Sequence, residues 1–193
     1  MPSGVVGLSD LWDGLDALPE ESPDPEDLPV SYGQERFWFL QELAGDAALF
    51  NVGLHFRVRG RLEPALLRDA LASLTTRHES LRTGIRGRGG EPRRRVVPDV
   101  DVPLEVVTLE RAEELDAVRR DTFERPFDLG EPPLWRARLC LAPGEEAHLV
   151  LAISHLVSDG ASLALIASEL LQAYDALAWG TAPEWEAALP YGE

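Results

Sequence analysis

Acid–base chemistry near neutral pH falls mainly to histidine, whose imidazole titrates around pH 6.5, and this chain of 193 residues has four. One of them, His155, stands where such chemistry needs it. The run Leu149-Val150-Leu151-Ala152-Ile153 is continuously apolar, as in a strand covered on both faces. It passes into Ser154-His155-Leu156-Val157-Ser158-Asp159-Gly160 before a helical pattern begins. A side chain at the exit of a buried strand has a rigid support, and a neutral imidazole there can accept a proton or a hydrogen bond. Asp159 can orient the local backbone or pair with a cation, and Gly160 allows a conformation or a close approach that a Cβ would forbid. The same residues also fit a plainer description, a histidine satisfied within the core followed by Ser158 or Asp159 as a helix N-cap.

The other candidates carry less. His55 lies on the polar face of its strand and His148 near a Pro143-Gly144 turn, so both are expected in solvent. His78 and Arg82 fall at a helix-to-strand junction and read as a polar cluster that holds the fold. Arg36 reads as a cation with a buried partner, and Trp38 as a large core aromatic. Cys140, the one cysteine, sits in an apolar strand pattern and is expected to pack rather than react. No His, Cys or carboxylate spacing suggests a metal site or a paired-carboxylate mechanism.

Elements to position His155 can be read from periodicity. Ser31 precedes a helix to about Leu43 with Phe37, Trp38 and Leu40 on its apolar side. Val52, Leu54, Phe56 and Val58 alternate as a strand. Pro64 opens a helix that continues through Leu67, Leu71 and Leu74. Extended pieces near 81–86 and 93–97 flank Gly87, Gly89, Gly90 and Pro92 as a hairpin, whose Arg86, Arg88, Arg93, Arg94 and Arg95 are expected at a solvated tip or against an acidic partner or its phosphate. A strand near 104–108, a helix near 110–124 and strands at 134–141 and 149–153 follow. A last helix is built on Leu163, Ile166, Leu170, Tyr174 and Leu177. The sum is a mixed α/β arrangement, a sheet flanked by helices.

Composition bounds the partners. Eighteen basic against thirty-four acidic side chains give a formal charge of −16, which opposes binding to nucleic acid or an anionic membrane. No stretch is long and apolar enough to span a bilayer, so the chain is expected in the cytoplasm. Residues 1–28 are rich in acid and proline and read as a leader, in which Leu8, Leu11, Trp12, Leu15 and Leu18 could form a short docking helix.

Three motifs, in order, then point to one family. Ser31-Tyr32-Gly33-Gln34-Glu35-Arg36-Phe37-Trp38 resembles Ser-x-Ala-Gln-x-Arg-x-Trp, and Arg77-His78-Glu79-Ser80-Leu81-Arg82-Thr83 resembles Arg-His-Glu-x-Leu-Arg-Thr. Ser154 to Gly160 resembles His-His-x-x-x-Asp-Gly, with Ser154 in place of the first His. These are motifs of condensation domains of nonribosomal peptide synthetases, in the chloramphenicol acetyltransferase-like superfamily. The resemblance spans residues 29–193 and implies the N-terminal lobe of a two-lobed domain whose C-terminal lobe lies outside this chain. It implies an acyltransferase function in the making of antibiotics and other secondary metabolites, the joining of acyl or aminoacyl thioesters into an amide. The phosphopantetheine arms of carrier proteins hold the substrates, and the chain itself binds no cofactor. His155 would be the functional residue, with Ser154, Asp159 and Gly160 supporting it. A non-catalytic module that recognises a carrier protein or a synthetase partner, and a lobe of an epimerisation-type domain, are the alternatives. The lobe-facing surface is expected to expose apolar side chains and to favour self-association.

Overall fold

A computed structural model describes residues 27–45, 48–144, 146–186 and 188. The proposed docking helix between Leu8 and Leu18 lies outside these residues. Four strands form the main sheet, in the order β2 (Asn51–Arg59), β7 (Glu146–Ser154), β6 (Trp135–Ala142) and β5 (Leu104–Thr108). Neighbours are antiparallel except β5 and β6, which run parallel. A smaller sheet joins β1 (Asp27–Pro29) to the hairpin of β4 (Glu91–Val96) and β3 (Thr83–Arg88). The hairpin turns on Gly89 and Gly90, both at positive φ, as a two-residue turn matched to strand twist requires.

Helices cover both faces of the main sheet. On one face α2 (Pro64–Arg77) and α4 (Gly160–Ala178) lay Leu67, Leu71, Leu74, Ile166 and Leu170 over Leu139, Leu149, Leu151 and Ile153. Each leucine so buried contributes roughly 1.5–3 kcal/mol. On the other face lies α3 (Glu114–Glu124), which buries Thr122. There the Phe123 ring lies directly on Gly53, where a Cβ would come within 2.3 Å of it and 2.5 Å of the Leu151 carbonyl. Coverage on both sides explains why eight of the nine residues of β7 are buried and why that strand has no polar alternation.

Several expectations are corrected. Asp27 and Leu28, assigned to the leader, pair with Arg95 and Arg94 as β1. The hairpin arginines are not a free tip: Arg94 is buried and donates to the Pro29 carbonyl, Arg88 pairs with Asp27, and Arg86 pairs with Glu131. The third helix begins at Glu114 rather than 110, because the Glu114 carboxylate accepts from the Glu110 amide and holds the preceding residues in a turn. Leu40 faces outward, 40% exposed, while Trp38 turns inward. Along the exposed side of α1 (Tyr32–Ala44) Tyr32, Phe39, Leu40 and Leu43 form an apolar surface. Arg36 is exposed on that helix and meets no ionic partner among the described residues, so it does not have the buried counter-charge expected of it.

His148 is buried rather than solvated. Its Nδ1 lies 3.0 Å from His55 Nε2 and its Nε2 2.9 Å from Glu146 Oε1, while Glu146 also pairs with Arg57. The nearby turn did not expose it, because tight pairing with β2 continues through Arg57 and Val58. Burial, then the neighbouring His148, lowers the His55 pKa. Cys140 is fully buried, and burial pushes its thiol pKa up, which keeps it from forming the reactive thiolate.

Candidate functional site

The turn from β7 into α4 closes on itself. The Ser154 amide donates to the Leu134 carbonyl, and its buried hydroxyl accepts from the Leu156 amide at 3.3 Å. Ser158 Oγ donates back to the Ser154 carbonyl. Ser154 therefore ties the turn together and faces no open surface, being 2% exposed.

His155 is half-buried at the same turn. Its backbone amide donates to Phe50 O at 2.7 Å, and its ring Nδ1 lies 2.6 Å from Ser158 O. A carbonyl oxygen only accepts, so Nδ1 carries the proton. In the neutral ring Nε2 is then left with its lone pair, and no partner meets it among the described residues. One face of the ring stacks on Phe37, centroids 4.9 Å apart and planes 22° from parallel, and Phe37 in turn meets Phe50 edge-on. The result is an imidazole of fixed tautomer, supported on one face, with its accepting nitrogen unused.

Asp159 is the N-cap of α4. Its Oδ1 accepts from the Ser162 amide and hydroxyl, each at 2.7 Å. The amide bond is the largest cause that holds its carboxyl below the usual aspartate range. This is the plainer role, and no arginine among the described residues reaches it. The cap predicts that Asp159→Ala costs about 1 kcal/mol in urea unfolding at neutral pH. Because the folded pKa is depressed, that contribution is present above the unfolded value of about 3.9 and is lost as pH falls through the folded pKa. The gap between wild type and variant should therefore close in acid; a gap of constant size down to pH 2 would contradict the charged cap. Gly160 opens the helix with nothing within 4 Å of where a Cβ would stand. Among the described residues neither strain nor crowding explains a glycine there.

The other motif residues lie behind the site. Gln34, buried at the start of α1, takes part in a capping box with Ser31 and sends its Nε2 to Leu156 O at 3.0 Å, fastening the helix to the His155 turn. Trp38 packs with Ile85 and Leu156. His78 and Arg77 both bind the Glu169 carboxylate on α4. Arg82 donates to the carbonyls of Thr75, Thr76, Val97 and Pro98, joining the end of α2 to the strand after the hairpin. Neither His78 nor Arg82 is brought to His155. Periodicity places Phe37 on the apolar side of its helix with Trp38 and Leu40 and assigns Gln34 no role of its own. The Ser-x-x-Gln spacing is a capping-box signal, but contact with a residue more than a hundred positions away has no local signature.

A cavity of about 940 Å³ lies between α1, the hairpin and residues 126–131, and His155 does not line it. No group of three or more His, Cys, Asp or Glu could hold a metal ion among the described residues. Nor is any described helix long and apolar enough to cross a membrane.

Comparison with known proteins agrees with this arrangement. The sequence profile of the condensation domain matches residues 25–193. The chain is 39% identical over 164 residues to the nonribosomal peptide synthetase CymA of Salinispora arenicola, covering 85% of this chain and 2% of that protein. It is 34% identical to the phosphinothricin tripeptide synthetase PhsC of Streptomyces viridochromogenes, covering 90% and 16%. Among solved structures, the first condensation domain of the calcium-dependent antibiotic synthetase matches with a TM-score of 0.76 at 25% identity, over 83% of this chain and 40% of that one. The X-domain from teicoplanin biosynthesis, solved in complex with OxyB, matches with a TM-score of 0.78 at 30% identity, over 89% and 37%. An α/β lobe with a strand-to-helix turn bearing His155, Asp159 and Gly160, matched by this profile along most of its length, belongs to the condensation-domain family of nonribosomal peptide synthetases. The chain spans less than half of the solved condensation domains it matches and a small part of the synthetases.

Proposed function

We propose that this chain forms one wall of an amide-forming site and that His155 is its working residue. The observation that carries this is the commitment of Nδ1 to Ser158 O, which leaves Nε2 as an acceptor at a half-buried surface. The substrates are an upstream acyl or aminoacyl thioester and a downstream aminoacyl thioester, each on the phosphopantetheine arm of a carrier protein. The α-amine attacks the thioester carbonyl, the C–N bond forms, the C–S bond breaks, and the released thiolate takes up the proton that the nitrogen loses. An α-amine titrating near 8 is already partly neutral at cellular pH. Nε2 therefore acts chiefly by orienting the amine through a hydrogen bond; it takes the proton as C–N bonding makes the nitrogen acidic and hands that same proton to the released thiolate, which returns the imidazole to its neutral form. Closure by a C-terminal lobe supplies the opposite wall and excludes water.

The test pairs the chain with a condensation C-terminal lobe and loaded donor and acceptor carriers. His155→Ala is expected to cut dipeptidyl-thioester formation about a hundredfold or more. Undiminished product would overturn the assignment.

A second reading is a non-catalytic module that docks a protein partner. It is favoured by the likeness to the X-domain, which its structure shows with OxyB bound, and by Ser154 standing where the motif has its first His. Carrier-protein affinity that persists without any product in the reconstituted system would select it.

A further inference from the structure

The hydrogen bond from Nδ1 fixes the tautomer of His155 but leaves the ring free to swing about that bond. The opposing constraint is the Phe37 ring, stacked at 22° and itself braced edge-on by Phe50, whose carbonyl also holds the His155 amide. Phe37 is carried by α1, and α1 is fastened to the same turn by Gln34 Nε2 on Leu156 O. Phe37 therefore does not move independently of the histidine it faces. The next residue, Trp38, packs inward against Ile85 and Leu156 instead. The helix thus assigns one aromatic to the core and the other to the imidazole.

We propose that Phe37 is a positioning residue: it holds the His155 imidazole in one plane so that Nε2 keeps one direction toward the reacting amine, with Gln34 as the anchor that keeps the helix in place. The proposal rests on the reading of His155 as the working residue, but its first readout does not. A stacked face resists rotation of the ring out of plane, and reactions of this kind lose rate steeply when a reacting group is misaligned.

Two measurements test it. In the chain labelled with ¹⁵N-histidine, long-range ¹H–¹⁵N spectra report the tautomer and mobility of each ring, and His155→Ala identifies the His155 signals. Phe37→Ala is expected to broaden those signals with the tautomer unchanged, Phe37→Leu to do so partly, and Phe37→Tyr to leave them as in wild type. A His155 spectrum unchanged in both Phe37→Ala and Phe37→Leu overturns the proposal. The same changes in a domain completed by a C-terminal lobe are expected to lower kcat about tenfold in Phe37→Ala, with KM for the acceptor carrier unchanged and recovery in Phe37→Tyr. A perturbed ring with undiminished kcat also overturns it. Loss of His155 dependence altogether would instead sink the proposed function, while the spectra alone would still decide whether Phe37 holds the ring.

Discussion

Replacing Glu169 with alanine is expected to lower the unfolding free energy by about 3–5 kcal/mol, because it strands buried charge. The Glu169 side chain, 8% exposed, binds Arg77 Nε at 3.0 Å and His78 Nε2, and those partners are themselves only 15% and 16% exposed. Without the carboxylate, the Arg77 guanidinium stays in a poorly hydrated position between α2 and α4 with its remaining support in Glu186 O and the Trp185 ring. Glu169→Gln keeps an acceptor but removes the charge and should fall between. Urea unfolding at pH 7 measures both. A loss under about 1 kcal/mol in Glu169→Ala would show that water reaches the cluster and screens it as at a surface.

Trp135→Ala should cost about as much by another route, about 3–5 kcal/mol for the cavity alone. Trp135 is 2% exposed within the main core, and its Nε1 donates to Leu81 O at 3.1 Å. That bond ties β6 to the 3₁₀ turn Glu79–Arg82 that leads into the hairpin. Trp135→Phe isolates the bond: it keeps most of the ring volume and leaves the Leu81 carbonyl unpaired, for a loss of about 1–3 kcal/mol. Equal losses in the two variants would mean that the hydrogen bond, rather than ring volume, dominates.

The parts of this fold that the sequence discloses are those fixed by near neighbours. The alternation at 52–58, Pro64 at the head of α2 and the glycines of the hairpin each act within a few residues, and the corresponding elements stand where periodicity places them. The continuous apolar run in β7 is legible because burial on both faces suppresses alternation. What was illegible depends on distant partners. His148 looked solvated from its own surroundings, yet Arg57, His55 and the rest of β2 enclose it. The arginines of the hairpin looked free until β1 and the 126–131 loop supplied Asp27, Pro29 O and Glu131. At the site, the motif placed His155 at the strand exit, but the Phe37 stack and the Gln34 anchor arise only once α1 folds back on the turn. Gly160 illustrates the converse: its glycine is plain in the sequence, and nothing among the described residues crowds it.

The pairing of β2 with β7 sets an order on how the molecule is made. Asn51 finds its ladder partner in Ser154, so a ribosome must deliver all the residues between 59 and 146, and then β7 itself, before β2 can be covered. During this interval Val52, Leu54 and Phe56 remain an unpaired apolar strip, the kind of surface that chaperones occupy and that drives aggregation at high expression. Slower elongation or added holdase should therefore raise the yield of folded chain more than any change at the His155 turn.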